Sequence, residues 1–297
     1  MRQLVALFVM LITSSSLFAG QKSIALELKN RTLIVQKLVE KPEVVKYLKK
    51  KKPELLTVYS KNIQESNTLL RKSVGKYWKF NTTVIYKTKE EIAAMKVLES
   101  KKKKKERKNY AVMSLEFFSE KYKTREESAV ITDVRYNNGD ASYLFVRFWE
   151  GEEIVYMSSP RLIPHEADFV FMVRYLNHNV TGMEFNKDQT DLCKENGPQV
   201  RDKVLLVTQN QISKLKEKDL IKLYRYPYKV VDQSVIDKAI VSADPKYVCI
   251  ISTDQSDTVV IKWLVLTGSG KLAGYHTDVK RPPLSKKDFK ELGKFIK

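Results

Sequence analysis

The stretch Trp78-Lys79-Phe80-Asn81-Thr82-Thr83-Val84-Ile85-Tyr86-Lys87-Thr88-Lys89-Glu90-Glu91-Ile92-Ala93-Ala94 decides the fold, because its pattern returns at residues 224–240. Trp78 answers to Tyr224, Phe80 to Tyr226, Val84 to Val230, Ile85 to Val231, Thr88 to Ser234, Glu91 to Asp237 and Ala94 to Ile240, all at one offset of 146 (234 less 88). Val84-Ile85-Tyr86 and Val230-Val231 are β-branched and aromatic runs suited to a buried strand. Thr88-x-x-Glu91 and Ser234-x-x-Asp237 then read as helix starts, a hydroxyl accepting from an orphan N–H and an acid near the positive helix end. Each copy hands a strand to a helix.

Outward from this motif, Tyr110 matches Tyr247 at an offset of 137 (247 less 110), so the first copy carries an insertion near residues 101–108. Asp168-Phe169 with Met172, Tyr175 and Leu176 matches Asp288-Phe289 with Leu292, Phe295 and Ile296 at an offset of 120 (288 less 168), on one helix face each. Ser285-x-x-Asp288 starts the last helix, at residues 286–297. A first strand at residues 32–35 precedes a Lys/Pro-rich passage and a long helix over residues 54–77, whose apolar residues follow a 3.6 period. Antiparallel hairpins are expected at Asn137-Asn138-Gly139-Asp140, at Glu150-Gly151 and at Thr267-Gly268-Ser269-Gly270, where Asn and Gly tolerate positive φ. A shorter helix is expected over residues 211–223. The reading is an α/β (α+β) chain of two related sandwiches from an internal repeat, each a mixed sheet covered by helices. Residues 1–20 form a signal peptide, 21–176 the first repeat, the polar stretch 177–202 a linker and 203–297 the second repeat.

The signal peptide is read from Arg2, an apolar run at residues 4–12, a serine cluster and a cut after Ala19 or Gly20. The apolar run is shorter than the roughly 20 residues a bilayer requires. The mature chain is therefore expected to be secreted or periplasmic with no transmembrane span. Lys and Arg number 54 against 35 Asp and Glu, a net charge of +19. Most of that excess is lysine, a hydrated point charge that attracts anionic surfaces without forming the fork of a shaped phosphate site. The candidate anionic-ligand surface is Lys49, Lys50, Lys51 and Lys52 with Lys101, Lys102, Lys103, Lys104 and Lys105. Cys193 and Cys249 form at most one bridge, and Cys249 sits in an apolar run that suits a small buried hydrophobe.

Catalytic motifs are scarce. Gly268-Ser269-Gly270-Lys271 lacks the upstream Gly and following Ser or Thr of a phosphate loop, and reads as a hairpin turn. His165, His178 and His276 have no i, i+4 pairing, and no Gly-x-Ser-x-Gly elbow occurs. No catalytic residue, metal site or cofactor is expected. The aromatic series Tyr77, Trp78, Phe80 and Tyr224, Tyr226, Tyr228, interleaved with Lys76, Lys79, Arg225 and Lys229, suits either a stacking surface or rings bridging helix end and sheet.

With strand, long helix, Tyr77-Trp78-Lys79-Phe80, Val84-Ile85-Tyr86-Lys87-Thr88 and Asn109-Tyr110-Ala111-Val112-Met113 in that order, the chain resembles secreted Gram-negative envelope proteins. It is similar in topology to α/β domains of envelope assembly proteins such as the amino-terminal domain of TolB. The resemblance implies protein interaction in the periplasm without catalysis, and carries over no functional residue. Three functions follow as expectations: a non-enzymatic binding or scaffolding protein of the cell envelope, a hydrolase of envelope polymers with a site between the repeats, or an anionic-polymer or membrane-surface binder. The expected partner is another envelope protein or an anionic envelope polymer, not nucleic acid.

Overall fold

The computed structural model describes residues 18–100, 109–119, 124–126, 141–254, 259–279 and 283–297. The first sheet contains β1 (Thr32–Gln36), β2 (Val84–Lys87), β3 (Tyr110–Ser119), β5 (Ala141–Phe148) and β6 (Glu153–Ser158) in the order β2-β1-β3-β5-β6, with β4 (Thr124–Glu126) on β3. The second contains β7 (Val204–Val207), β8 (Tyr228–Val230), β9 (Tyr247–Asp254), β10 (Val260–Leu266) and β11 (Leu272–Asp278) in the order β8-β7-β9-β10-β11. Strand order and strand direction agree throughout: β1 and β7 lie parallel to both neighbours, and the last three strands of each path run antiparallel.

Register refines the sequence match. Leu33 lies between Val84 and Ala111, as Leu205 lies between Tyr228 and Val248. Ala111 and Val248 keep the offset of 137, whereas Val84 pairs as Tyr228 does, an offset of 144 (228 less 84) instead of 146. A two-residue slide leaves every side chain on its original face, so the hydrophobic pattern survives it. The expected helix start at Ser234 is corrected accordingly. Asp232 is the N-cap and Ser234 lies inside the helix, because the connection after Tyr224 is two residues shorter than that after Trp78. At Thr88 the expected box is present, Thr88 N–H donating to Glu91 Oε2 (2.7 Å) and Glu91 N–H to Thr88 Oγ1 (3.2 Å).

The helices are α1 (Phe18–Lys29), α2 (Pro42–Lys51), α3 (Glu54–Tyr77), α4 (Lys89–Ser100), α5 (Glu166–Glu184), α6 (Gln189–Asn196), α7 (Gln209–Ile212), α8 (Glu217–Leu223), α9 (Gln233–Ser242) and α10 (Lys286–Gly293), with a 3-10 turn at Gly197–Asp202. The Lys/Pro-rich passage holds α2, which Pro42 opens and three lysines close at its negative end. The helix expected over 211–223 is broken into α7 and α8.

The expected linker is also corrected. Residues 177–202 form the end of α5, then α6 and the 3-10 turn, with Val180, Cys193 and Val200 fully buried. Their polar residues cap and staple: Asp188 and Asp191 form a capping box, and Asn196 Nδ2 donates to the carbonyls of Leu192 (2.7 Å) and Leu272 (3.1 Å).

Helix α5 explains how the sheets meet. Residues 167–176 are all buried, the pattern of a helix enclosed on every side. It packs on α1, α3, α9, β5 and β6. One apolar cluster passes through it, from Leu33, Met113 and Val146 of the first sheet to Cys249, Trp263 and Val265 of the second. Tyr175 meets Trp263 with ring centroids 5.5 Å apart. The far side of the second sheet, with Leu205, Val248 and Leu264, is covered by α8 and α10. The far side of the first sheet is covered by α4 over Ile34 and Trp149. Both cysteines are buried and free. Among the described residues, no helix is long and apolar enough to cross a membrane.

Candidate functional site

The two halves meet beside the carboxy-terminal end of α3 in an open cleft of about 520 Å³. Lys76, Tyr77 and Lys79 come from α3 and its exit, Arg174 and His178 from α5, and Lys271 from the β10–β11 turn. The turn is fixed by Gly270 at φ +70° and by Thr267, whose Oγ1 donates to the carbonyls of Asp244 (2.5 Å) and Tyr247 (2.8 Å). Arg174 clamps it to α5, donating to the carbonyls of Thr267 (2.9 Å) and Gly268 while lying 5.0 Å from the Tyr77 ring centre. Burial lowers the Arg174 pKa from its ordinary value. The Lys79 N–H donates to Asn177 Oδ1 (2.7 Å), tying the α3 exit to α5.

Charge is unbalanced here. Among the described residues, Glu195 is the one carboxylate lining the cleft, and it pairs with Lys187. Lys76 lies over the Tyr77 ring and Lys79 Nζ donates to the Gly75 carbonyl (3.1 Å). Behind them His178 is held neutral: burial, then the Lys271 charge, push its pKa down to about 4. Chemically, the arrangement can hold an anion. Its histidine stands 3.4 Å from Asn196 Nδ2.

The residues expected to form the basic surface lie elsewhere. Lys49, Lys50 and Lys51 are exposed in the last turn of α2, and half-buried Lys52 is its C-cap. They neighbour the start of α3, whose 24 residues span about 36 Å to the cleft at its other end. Lys101, Lys102, Lys103, Lys104 and Lys105, the insertion near 101–108 and the turn at 137–140 lie outside the described residues. Sequence reasoning noted Lys76 and Lys79 as interleaved with aromatics, weighed Lys271 only as the end of a phosphate-loop-like turn, and passed over Arg174. The aromatic series bridges helix end and sheet: Trp78, Phe80 and Tyr224 are buried, and Trp78–Phe80 and Tyr224–Tyr226 are both edge-to-face pairs.

Histidine and carboxylates do gather once among the described residues, at His276, Asp278 and Asp288. A lysine already fills that cluster: the fully buried Lys262 Nζ lies 2.7 Å from Asp288 Oδ1 and 3.3 Å from Asp278 Oδ2. His276 Nε2 is 3.7 Å from Asp288 Oδ1 without a hydrogen-bond partner. The ammonium bridges the two carboxylates and pins the start of α10 to β10. A divalent cation would have to displace it.

Two further clefts are each about 450 Å³. One runs along β6 beside Tyr175 and Trp263. The other, on the far face of the first sheet, contains Arg147, which pairs with Glu116 and with Glu153 (3.2 Å). Comparison with known proteins adds no kinship: no protein-family model, curated protein or solved structure matches the chain.

Proposed function

We propose that this chain is a non-enzymatic binding or scaffolding protein of the cell envelope, exported by its amino-terminal signal, with its ligand surface at the seam of the two halves. One observation carries the reading. Lys76 and Lys79 from one half and Lys271 from the other line a single cleft where, among the described residues, the one lining carboxylate is already paired. Cations assembled by folding repel one another, and an anionic partner relieves that repulsion. Hydrolysis needs a nucleophile or an acid–base pair in a cleft; of the carboxylates lining the cleft along β6, Glu153 pairs with Arg147 and Asp188 caps α6, while the His276 cluster is closed around Lys262 and lines none of the three clefts described. Cleavage after Gly20 leaves Gln21 as the first residue and retains Ala25 and Leu28, which α1 buries.

Crosslinking of the mature protein in its own envelope, followed by mass spectrometry, tests the reading. A defined partner recovered through residues around the cleft supports it. Turnover of an envelope polymer by purified protein overturns it.

A further inference from the structure

We infer that the seam cleft takes an acidic polysaccharide, its charged groups on Lys76, Lys79 and Lys271 and a sugar face on Phe185. The inference rests on the binding-protein reading and adds the chemistry of the ligand. Phe185, the C-cap of α5, lines the same cleft and is 66% exposed. An exposed ring beside ammonium groups matches a ligand with apolar ring faces and regularly placed anions.

The choice among anions follows from the donors. A single phosphate is best met by a planar guanidinium fork. Arg174 is the one guanidinium among the described residues of the cleft, and it is committed to the carbonyls of Thr267 and Gly268. What remains is point charge from three elements, suited to charges spaced along a chain. The concave setting between α3, α5 and a hairpin also disfavours a flat lipid surface, which interfacial helices meet with a convex apolar face. The size falls within the roughly 300–1,000 Å³ of ligand clefts. His178 supplies an internal reporter, because an anion near Lys271 offsets the positive charge that helps hold it neutral.

The test is titration calorimetry of the mature protein with a short oligogalacturonate, its fully methyl-esterified neutral form, inorganic polyphosphate, and phosphatidylglycerol vesicles. The oligogalacturonate should bind, the neutral ester should not, and affinity should fall as salt rises. The triple variant K76E/K79E/K271E should lose about tenfold or more, whereas K49E/K50E/K51E, at the other end of α3, should stay within about twofold. F185A should weaken oligogalacturonate but not polyphosphate, and bound oligogalacturonate should raise the His178 pKa by NMR. Circular dichroism checks that the variants fold; all seven altered side chains are exposed. Equal losses in both triple variants would reduce the effect to net charge and overturn the inference, as would vesicle or polyphosphate binding without oligogalacturonate binding. If oligogalacturonate fails while crosslinking still returns a protein partner, the ligand class falls and the binding-protein reading stands.

Discussion

Asp168 and Asp288 occupy the third position of α5 and α10, and each accepts a backbone N–H from the helix cap, from His165 (2.8 Å) and Ser285 (2.6 Å). Their surroundings then diverge. Beneath Asp288 stand Lys262 and His276, cross-strand partners on β10 and β11. At the corresponding register of the first sheet stand Leu144 and Met157, both buried and apolar. Asp168 instead has Arg161 at 3.4 Å, and Arg161 also grips Asp237 on α9 of the other half. One acid holds a lysine of its own half, and the other faces an arginine whose closer partner lies across the seam. Equivalent positions in equal topologies can therefore keep a helix cap while exchanging the charge that accompanies it.

The sharpest way to break this comparison is to give the second half the first half's residues. K262L leaves Asp288 buried without its ammonium and should cost about 3–5 kcal/mol in denaturant unfolding, the usual penalty for stripping one partner from a buried pair. The double variant K262L/H276M should cost about as much as K262L alone, because His276 Nε2 has no hydrogen-bond partner to lose. A markedly larger loss would mean that His276 carries part of the cluster.

Much of this architecture is written locally and could be read without coordinates. The helix over residues 54–77 follows from its period, and the strand starting at Tyr110 from its match at Tyr247. Helix α5 was legible only to Leu176. Beyond it Val180 and Met183 still face the core, but the polar residues among them, Asn177, His178, Asn179 and Thr181, mimic a linker. The cleft was invisible for a different reason: Lys76, Arg174 and Lys271 are joined by tertiary contact, which no local pattern encodes. In a chain with 54 basic residues, three particular lysines carry no signal of their own.

The first-half acid offers the next largest effect. Burial raises the Asp168 pKa to about 7, outweighing the opposing Arg161 charge. The folded carboxyl then keeps its proton up to about pH 7, while the unfolded one releases it near 3.8. Between those limits the unfolded state binds fewer protons, so stability declines as pH rises. Asp168 contributes most below pH 4, and up to about 4 kcal/mol is lost by neutrality, each tenfold difference in proton affinity between the two states being worth roughly 1.4 kcal/mol. D168N should flatten that part of the profile. An unchanged slope would place the titration elsewhere.

The two hairpin glycines sharpen the comparison further. Gly151 has φ +104° with open space around it, whereas a Cβ on Gly270, at φ +70°, would sit 2.6 Å from Arg174 Nε. Alanine at position 151 should cost about 1–2 kcal/mol in backbone strain. G270A should cost about 1–2 kcal/mol more, because it must displace the clamp on the seam. Equal losses would mean that Arg174 yields freely.

The smallest expected effect bears most directly on how the halves are joined. Arg161 Nη2 donates to both carboxylate oxygens of Asp237, at 2.6 and 2.7 Å, from the segment before α5 to α9. Both side chains are about one-quarter exposed, so solvent screens the pair and its net value is about 1 kcal/mol. A double-mutant cycle of R161M and D237N on unfolding should return a coupling of that size. It should shrink with salt less than an exposed pair would, because the contact is half-buried. Coupling should also reach Asp168: R161M removes the charge that opposes burial, so the stability decline expected toward neutral pH should steepen in R161M but not in D237N. If the cycle closes at zero and R161M leaves the pH profile unchanged, the two halves are held by the apolar packing of α5 and by the Arg174 clamp, and the exchanged charges around the two caps have no part in joining them.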